Sequence, residues 1–104
     1  MYKLEFLTIA KNDMLEIVKY ISGELKNPDT ASRLIDEFIS SAENICIFPY
    51  SNNVYTPIKS LEKEYRRIIV KNYMMFYTVD ENTKTVTIMR VIYAKRNINE
   101  QIKP

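Results

Sequence analysis

Apolar side chains fall along this chain in two rhythms. Between Ile9 and Leu25, the residues Met14, Ile17, Val18, Ile21 and Leu25 recur at three- and four-residue steps. That spacing draws one stripe down a helix, with Thr8 placed to cap its start. The same spacing returns in Ala31, Leu34, Ile35, Phe38, Ala42, Ile45 and Phe48 and predicts a second helix over Thr30 to Ile47. From Tyr65 onward the rhythm shortens to a dense run of Val, Ile, Tyr, Phe and Thr, the side chains that fit a pleated, half-buried surface. It predicts strands at Tyr65–Val70, Tyr73–Val79 and Thr85–Tyr93. A looser alternation over Tyr2–Leu7 predicts one short strand at the start.

The punctuation agrees with this reading. Asn27-Pro28-Asp29 separates the helices, because Pro28 drives Asn27 out of helical geometry and leaves Asp29 or Thr30 to cap the second helix. Gly23, the only glycine, weakens the last turn of the first helix. Pro49 ends the second. Residues 50–60 are polar and read as a loop. Lys71-Asn72 is a two-residue hairpin connection in which Asn72 tolerates positive φ, and residues 80–84 form a longer polar turn. Two amphipathic helices cannot bury their stripes alone, so they must pack on the sheet. The expected architecture is α+β: an N-terminal strand, an α-helical hairpin and a three-stranded antiparallel meander, β-α-α-β-β-β. Along the middle strand Tyr73, Met75, Tyr77 and Val79 share a face. Along the last, Val86, Ile88, Arg90 and Ile92 are expected to oppose Thr87, Met89, Val91 and Tyr93.

At 104 residues the chain makes one domain, 1–104, and its 46% hydrophobic content supplies a core. No apolar run approaches the ~18 residues of a membrane span, and the N-terminus has no signal-peptide apolar block, so a cytoplasmic protein without membrane contact is expected. Cys46, the single cysteine, sits in the run Ile45-Cys46-Ile47-Phe48 and reads as a buried, inert thiol. The net charge of +2 conceals an asymmetry. Residues 1–58 hold five bases and eight acids, whereas residues 59–104 hold ten bases and five acids. The meander half is the part suited to a polyanion or an acidic partner.

The chain has no histidine, which removes imidazole bases, His-dependent triads and His-ligated metals. One cysteine excludes a Cys-rich zinc site, and one glycine excludes the P-loop and the dinucleotide fingerprint. No cofactor is implied. What remains is Lys59, Lys63, Arg66, Arg67, Lys71, Arg90, Lys95 and Arg96, interleaved with Tyr65, Tyr73, Tyr77 and Tyr93. Guanidinium forks take phosphates and tyrosine rings stack on bases. Such a set can clamp RNA. It can also cut RNA without metal, if the substrate's 2′-OH attacks the adjacent phosphate while Arg and Lys stabilise the added charge. Each residue has a plainer use as well. Tyr73 and Tyr77 fit a core, one of Arg66 and Arg67 can pair with Glu62 or Glu64, and Arg90 inside an apolar strand needs a partner or a function.

The order of elements, with Ala10, Asp13, Ile17 and Tyr20-Ile21 in the first helix, Pro28, Ala31 and Phe48-Pro49 around the second, then Tyr65-Arg66-Arg67, Tyr73, Phe76 to Asp80, Val86-Thr87-Ile88, Arg90-Val91 and Lys95-Arg96, resembles the RelE/ParE toxins of bacterial type II toxin–antitoxin systems. The resemblance covers nearly the whole chain. It implies a growth-inhibiting toxin neutralised by a cognate antitoxin, with a heterotetramer as one assembly. One branch implies poisoning of DNA gyrase through protein contact, without enzymatic activity. The other implies a ribosome-dependent mRNA endonuclease, in which Arg66, Arg67, Arg90 and Arg96 are the catalytic candidates. A third outcome is an inactive binding module of the same fold. Met74 follows Tyr73 where the nucleases carry a base, and Ile102 stands where they carry a tyrosine, so the resemblance leans to the ParE side. Lys63, Tyr65, Lys71, Tyr93 and Lys95 are the expected contact residues for a partner.

Overall fold

The computed structural model describes residues 1–52, 54 and 64–95. Its elements are β1 (Lys3–Phe6), α1 (Thr8–Lys19) running into a π-helical turn (Tyr20–Glu24), α2 (Pro28–Ile47), β2 (Arg66–Val70), β3 (Tyr73–Asp80) and β4 (Thr85–Tyr93). The expected α+β architecture is the one observed. The strands form a sheet in the order β1-β4-β3-β2, with β1 parallel to β4 and the remaining pairs antiparallel. The first strand thus joins the meander's last strand at the edge, and the helical hairpin leads the chain away from it across the sheet. The expected loop over 50–60 lies for the most part outside the described residues. No helix among the described residues is long and apolar enough to cross a membrane.

The core lies between the hairpin and one sheet face. From α2 it takes Ala31, Leu34, Phe38, Ala42 and Ile45, from α1 Ala10 and Met14, and from the sheet Val70, Met75, Tyr77, Val86, Ile88 and Val91. Phe38 is fully enclosed and meets Tyr73 edge-on at 5.7 Å between ring centroids. Cys46 is buried as expected, and burial pushes its thiol pKa up.

Several boundaries differ from the sequence reading. Thr8 is the first helical residue and not the cap; Leu7 precedes it in extended backbone, without a side-chain cap. Asn27, not Asp29 or Thr30, caps α2. Its side-chain oxygen accepts from the Thr30 amide at 3.2 Å, and Pro28 takes the first helical position, where a missing N–H is harmless. The first helix does not stay α-helical to Leu25. The extra residue of the π turn rotates Leu25 away from the stripe, and it is 59% exposed. Phe48 lies beyond the end of α2 and is 69% exposed, whereas Cys46 is buried. In the β2–β3 connection the positive φ falls on Lys71, at 55°, rather than on Asn72.

The expected face pattern of β4 is overturned by a bulge. Phe76 pairs with Arg90 and Tyr77 with Ile88, which leaves Met89 as the extra residue. Beyond it the alternation is inverted: Val91 joins Val86 and Ile88 in the core, and Arg90 does not.

Candidate functional site

Between the two helices and the end of the sheet around the Lys71-Asn72 turn lies a groove of about 1120 Å³. Ile17, Ile21, Leu34, Val91 and Ile92 give it an apolar lining, and Tyr20, Leu25, Tyr73 and Tyr93 add rings and a rim. The π turn places Tyr20 and Ile21 there, while Leu25 ends the turn with its amide on the Tyr20 carbonyl. Tyr73 and Tyr93 stack edge-on at 5.7 Å. Tyr20, Leu25 and Tyr93 are 51%, 59% and 38% exposed, so large apolar surface is left open along one rim.

The groove is also charged. At one end the Asp13 carboxylate holds the Arg90 guanidinium with both oxygens, at 2.8 Å to Nε and 2.9 Å to Nη2, and accepts the Val91 amide at 3.0 Å. The Arg90 and Asp13 side chains are only 16% and 14% exposed. The hydrogen bond from Asp13 outweighs burial and raises the Arg90 pKa, so the guanidinium stays charged. At the other end Lys71 pairs with Glu37 at 3.5 Å in solvent. Glu16 and Arg33 complete the charged lining.

A second cluster forms at the opposite end of the sheet. Arg66 stands across from Tyr77. Its Nη1 donates to the Asn52 carbonyl at 2.6 Å, and its guanidinium lies 5.0 Å from the Tyr50 ring centroid. The Glu64 carboxylate stands 3.9 Å away, the pairing expected for one of the two arginines. Tyr77 donates to the Pro49 carbonyl at 2.9 Å and accepts from Asn52 at 3.3 Å. Nearby Glu81 accepts from the hydroxyls of Tyr2 and Tyr50 and from Lys84, at 2.6 Å for the lysine. Lys84 chief among them, these donors hold the Glu81 carboxyl down at about 2, and the bond to Glu81 pushes Tyr50 up to about 12.

The three catalytic candidates among the described residues, Arg66, Arg67 and Arg90, are not gathered at one point. Arg66 belongs to the Tyr50–Asn52–Tyr77 cluster. Arg67 and Arg90 flank Phe76 in one cross-strand row, with Arg67 Nη1 3.6 Å from the Met74 sulfur. Lys59, Glu62, Lys63, Arg96 and Ile102 lie outside the described residues. Of the contact candidates, Lys71 and Tyr93 line the groove, Lys95 is exposed just after β4, and Tyr65 is half-buried ahead of β2.

Sequence reasoning passes over the Tyr2–Tyr50–Glu81–Lys84 cluster and the charged pair on the groove walls, Glu16 and Arg33. Asp13 enters it only through a resemblance, although its position is a usable signal. It stands among Ala10, Met14 and Ile17, an acid inside an apolar stripe, which calls for a buried partner. Among the described residues no group of Asp, Glu and Cys could hold a metal ion.

Residues 4–98 match a family model described as the ParE toxin of type II toxin–antitoxin systems, parDE. No curated protein matches the chain. Among solved structures, the chromosomal ParDE toxin–antitoxin system from P. aeruginosa is similar with a TM-score of 0.72 at 13% identity, over 91% of this chain and 98% of that one. The RelBE2 toxin–antitoxin complex from Mycobacterium tuberculosis gives 0.55 at 18% identity, over 88% and 96%. The intact E. coli RelBE complex gives 0.54 at 17%, over 92% and 100%. At such identities these structures share the fold.

Proposed function

Because the chain belongs to the ParE toxin family of type II toxin–antitoxin systems, we propose that it arrests bacterial growth in the cytoplasm by binding DNA gyrase, and that a cognate antitoxin neutralises it. The match of residues 4–98 to the ParE family carries this reading. The groove supports the antitoxin half of it. An apolar floor with an exposed aromatic rim suits an amphipathic segment from another protein. The solved relatives from P. aeruginosa, M. tuberculosis and E. coli are described as toxin–antitoxin systems or complexes.

A second reading is a metal-independent mRNA endonuclease. The basic strand β2, with Arg66 beside two tyrosines, favours it. The local chemistry weighs against it. A tyrosine acting as general base needs a lowered pKa, whereas Tyr50 is pushed up to about 12 by its bond to Glu81 and Tyr77 is raised by burial. Arg90, with its fork held by Asp13, is poorly placed to meet a phosphate.

The test is controlled expression in a bacterial host, with growth, plasmid supercoiling and mRNA integrity read from one culture. Growth arrest with altered supercoiling and intact mRNA is the expected result. Translation-dependent mRNA cuts would replace the gyrase reading with the nuclease one. Normal growth would leave an antitoxin-binding module without toxic action. Co-purification with the antitoxin encoded beside the gene tests the partner separately.

A further inference from the structure

Among the described residues the groove holds six charged side chains, and four of them neutralise one another: Asp13 with Arg90 at 2.8 Å and Glu37 with Lys71 at 3.5 Å. That leaves one acid on the α1 wall, Glu16, whose charge reaches Arg90 only through space, and one base on the α2 wall, Arg33. Both are exposed, and neither has an ion-pair partner among the described residues. The Arg33 guanidinium donates within its own helix, to the Thr30 hydroxyl at 3.3 Å. Between these charges runs the apolar floor of Ile17, Ile21, Leu34, Val91 and Ile92.

An apolar floor alone accepts an amphipathic segment in either direction and from many sources. An acid on one wall and a base on the other do not. We infer that Glu16 and Arg33 are specificity-determining residues of the antitoxin site, which rests on the reading that an antitoxin segment occupies the groove. The occupant lays apolar side chains along the floor, presents a Lys or Arg to Glu16 and an Asp or Glu to Arg33. A segment lying in reverse, or one from a non-cognate antitoxin with the charges exchanged, meets like charges on both walls. Exposed opposite charges attract weakly, but like charges brought together on docking cost far more. The pair therefore acts mainly by rejection, and it sets orientation.

Titration calorimetry of the toxin with the full-length antitoxin encoded beside its gene tests this. The variants are Glu16→Lys, Arg33→Glu and, as a charge control on α2 outside the groove lining, Asp36→Lys; thermal melts confirm that each is folded. Each groove reversal is expected to weaken binding by about ten-fold or more, with the loss shrinking at high salt, while Asp36→Lys changes it by less than about two-fold. If both groove reversals bind like the wild type, or no worse than Asp36→Lys, the inference fails and the antitoxin reading stands. If the wild-type toxin does not bind the antitoxin, the reading itself fails and takes the inference with it.

Discussion

The carboxylate of Asp13 grips the Arg90 guanidinium and the Val91 amide together, with oxygens 2.8 and 2.9 Å from two guanidinium nitrogens and 3.0 Å from the backbone nitrogen. The contact sits where the sheet changes neighbour. β1 pairs with β4 as far as Ile88, whose carbonyl accepts the Leu7 amide. The chain then turns into α1, and Asp13 takes up the Val91 amide further along that edge. One side chain from the second turn of a helix thereby continues the hydrogen bonding of a strand and neutralises an arginine that the bulge keeps out of the core.

Asp13→Ala is expected to lower stability by about 2 kcal/mol, because it removes the partner of a mostly buried charge and of a backbone donor together. Urea unfolding checks it. The exposed acid Asp29, in the first turn of α2, is too close to a helix end to serve as a baseline, so Asp36 gives it: Asp36→Ala should stay within about 0.5 kcal/mol. Equal effects of Asp13→Ala and Asp36→Ala would mean that the Asp13 contact contributes nothing beyond surface charge.

The exit from the first helix puts its residues in an unfavourable order. Lys26 adopts a left-handed φ of 51°, with the following Asn27 amide bonded to the Ile21 carbonyl at 3.0 Å, the position where helices commonly place glycine. The one glycine, Gly23, stands three residues earlier in the π turn without a positive φ, and an added Cβ there meets nothing within 4 Å. Lys26→Gly and Gly23→Ala should each stabilise the protein by about 0.5–1 kcal/mol. Thermal melts of the two single variants and the double variant decide it, and a destabilised Gly23→Ala would show that the π turn itself requires glycine.

Glu81 ties the N-terminus, the segment after α2 and the β3–β4 turn together through Tyr2, Tyr50 and Lys84. Its carboxyl lies at about 2 in the folded protein against 4.5 ordinarily. A depressed carboxyl contributes stability that is present above the unfolded value and lost as pH falls through the folded one. Wild type is therefore expected to exceed Glu81→Gln in melting temperature at pH 7, with the gap closing between about pH 4.5 and 2. The site is open to solvent, so high salt should narrow the gap at neutral pH. A gap that persists unchanged at the acid end of that range would assign the effect to packing.

Tyr77 is fully buried, and its hydroxyl donates to the Pro49 carbonyl at 2.9 Å. Tyr77→Phe keeps the ring in the core and strips that carbonyl of its donor. The expected cost is about 1–2 kcal/mol in chemical denaturation. Hydrogen exchange should loosen around Pro49 to Asn52, while β3 stays protected, and uniform loosening would count against a local role.

Periodicity alone placed the helices, all four strands and the α+β class, because burying a stripe or a pleated face demands a fixed spacing of apolar residues whatever lies opposite. The composition also removes histidine chemistry, a Cys-rich zinc site and the phosphate loop. The tertiary structure decided what depends on a second element. The bulge at Met89 exchanges the faces of Arg90 and Val91, and a strand read by itself carries no sign of an unpaired residue, since the register belongs to the pair. The π turn packs against α2, and it turns Leu25 from stripe to rim. Asp13 and Arg90, 77 positions apart, meet only because β1 lies parallel to β4 and releases the chain into α1 beside that bulge. The groove, with Glu16 and Arg33 on its walls, is made by the same juxtaposition of hairpin and sheet.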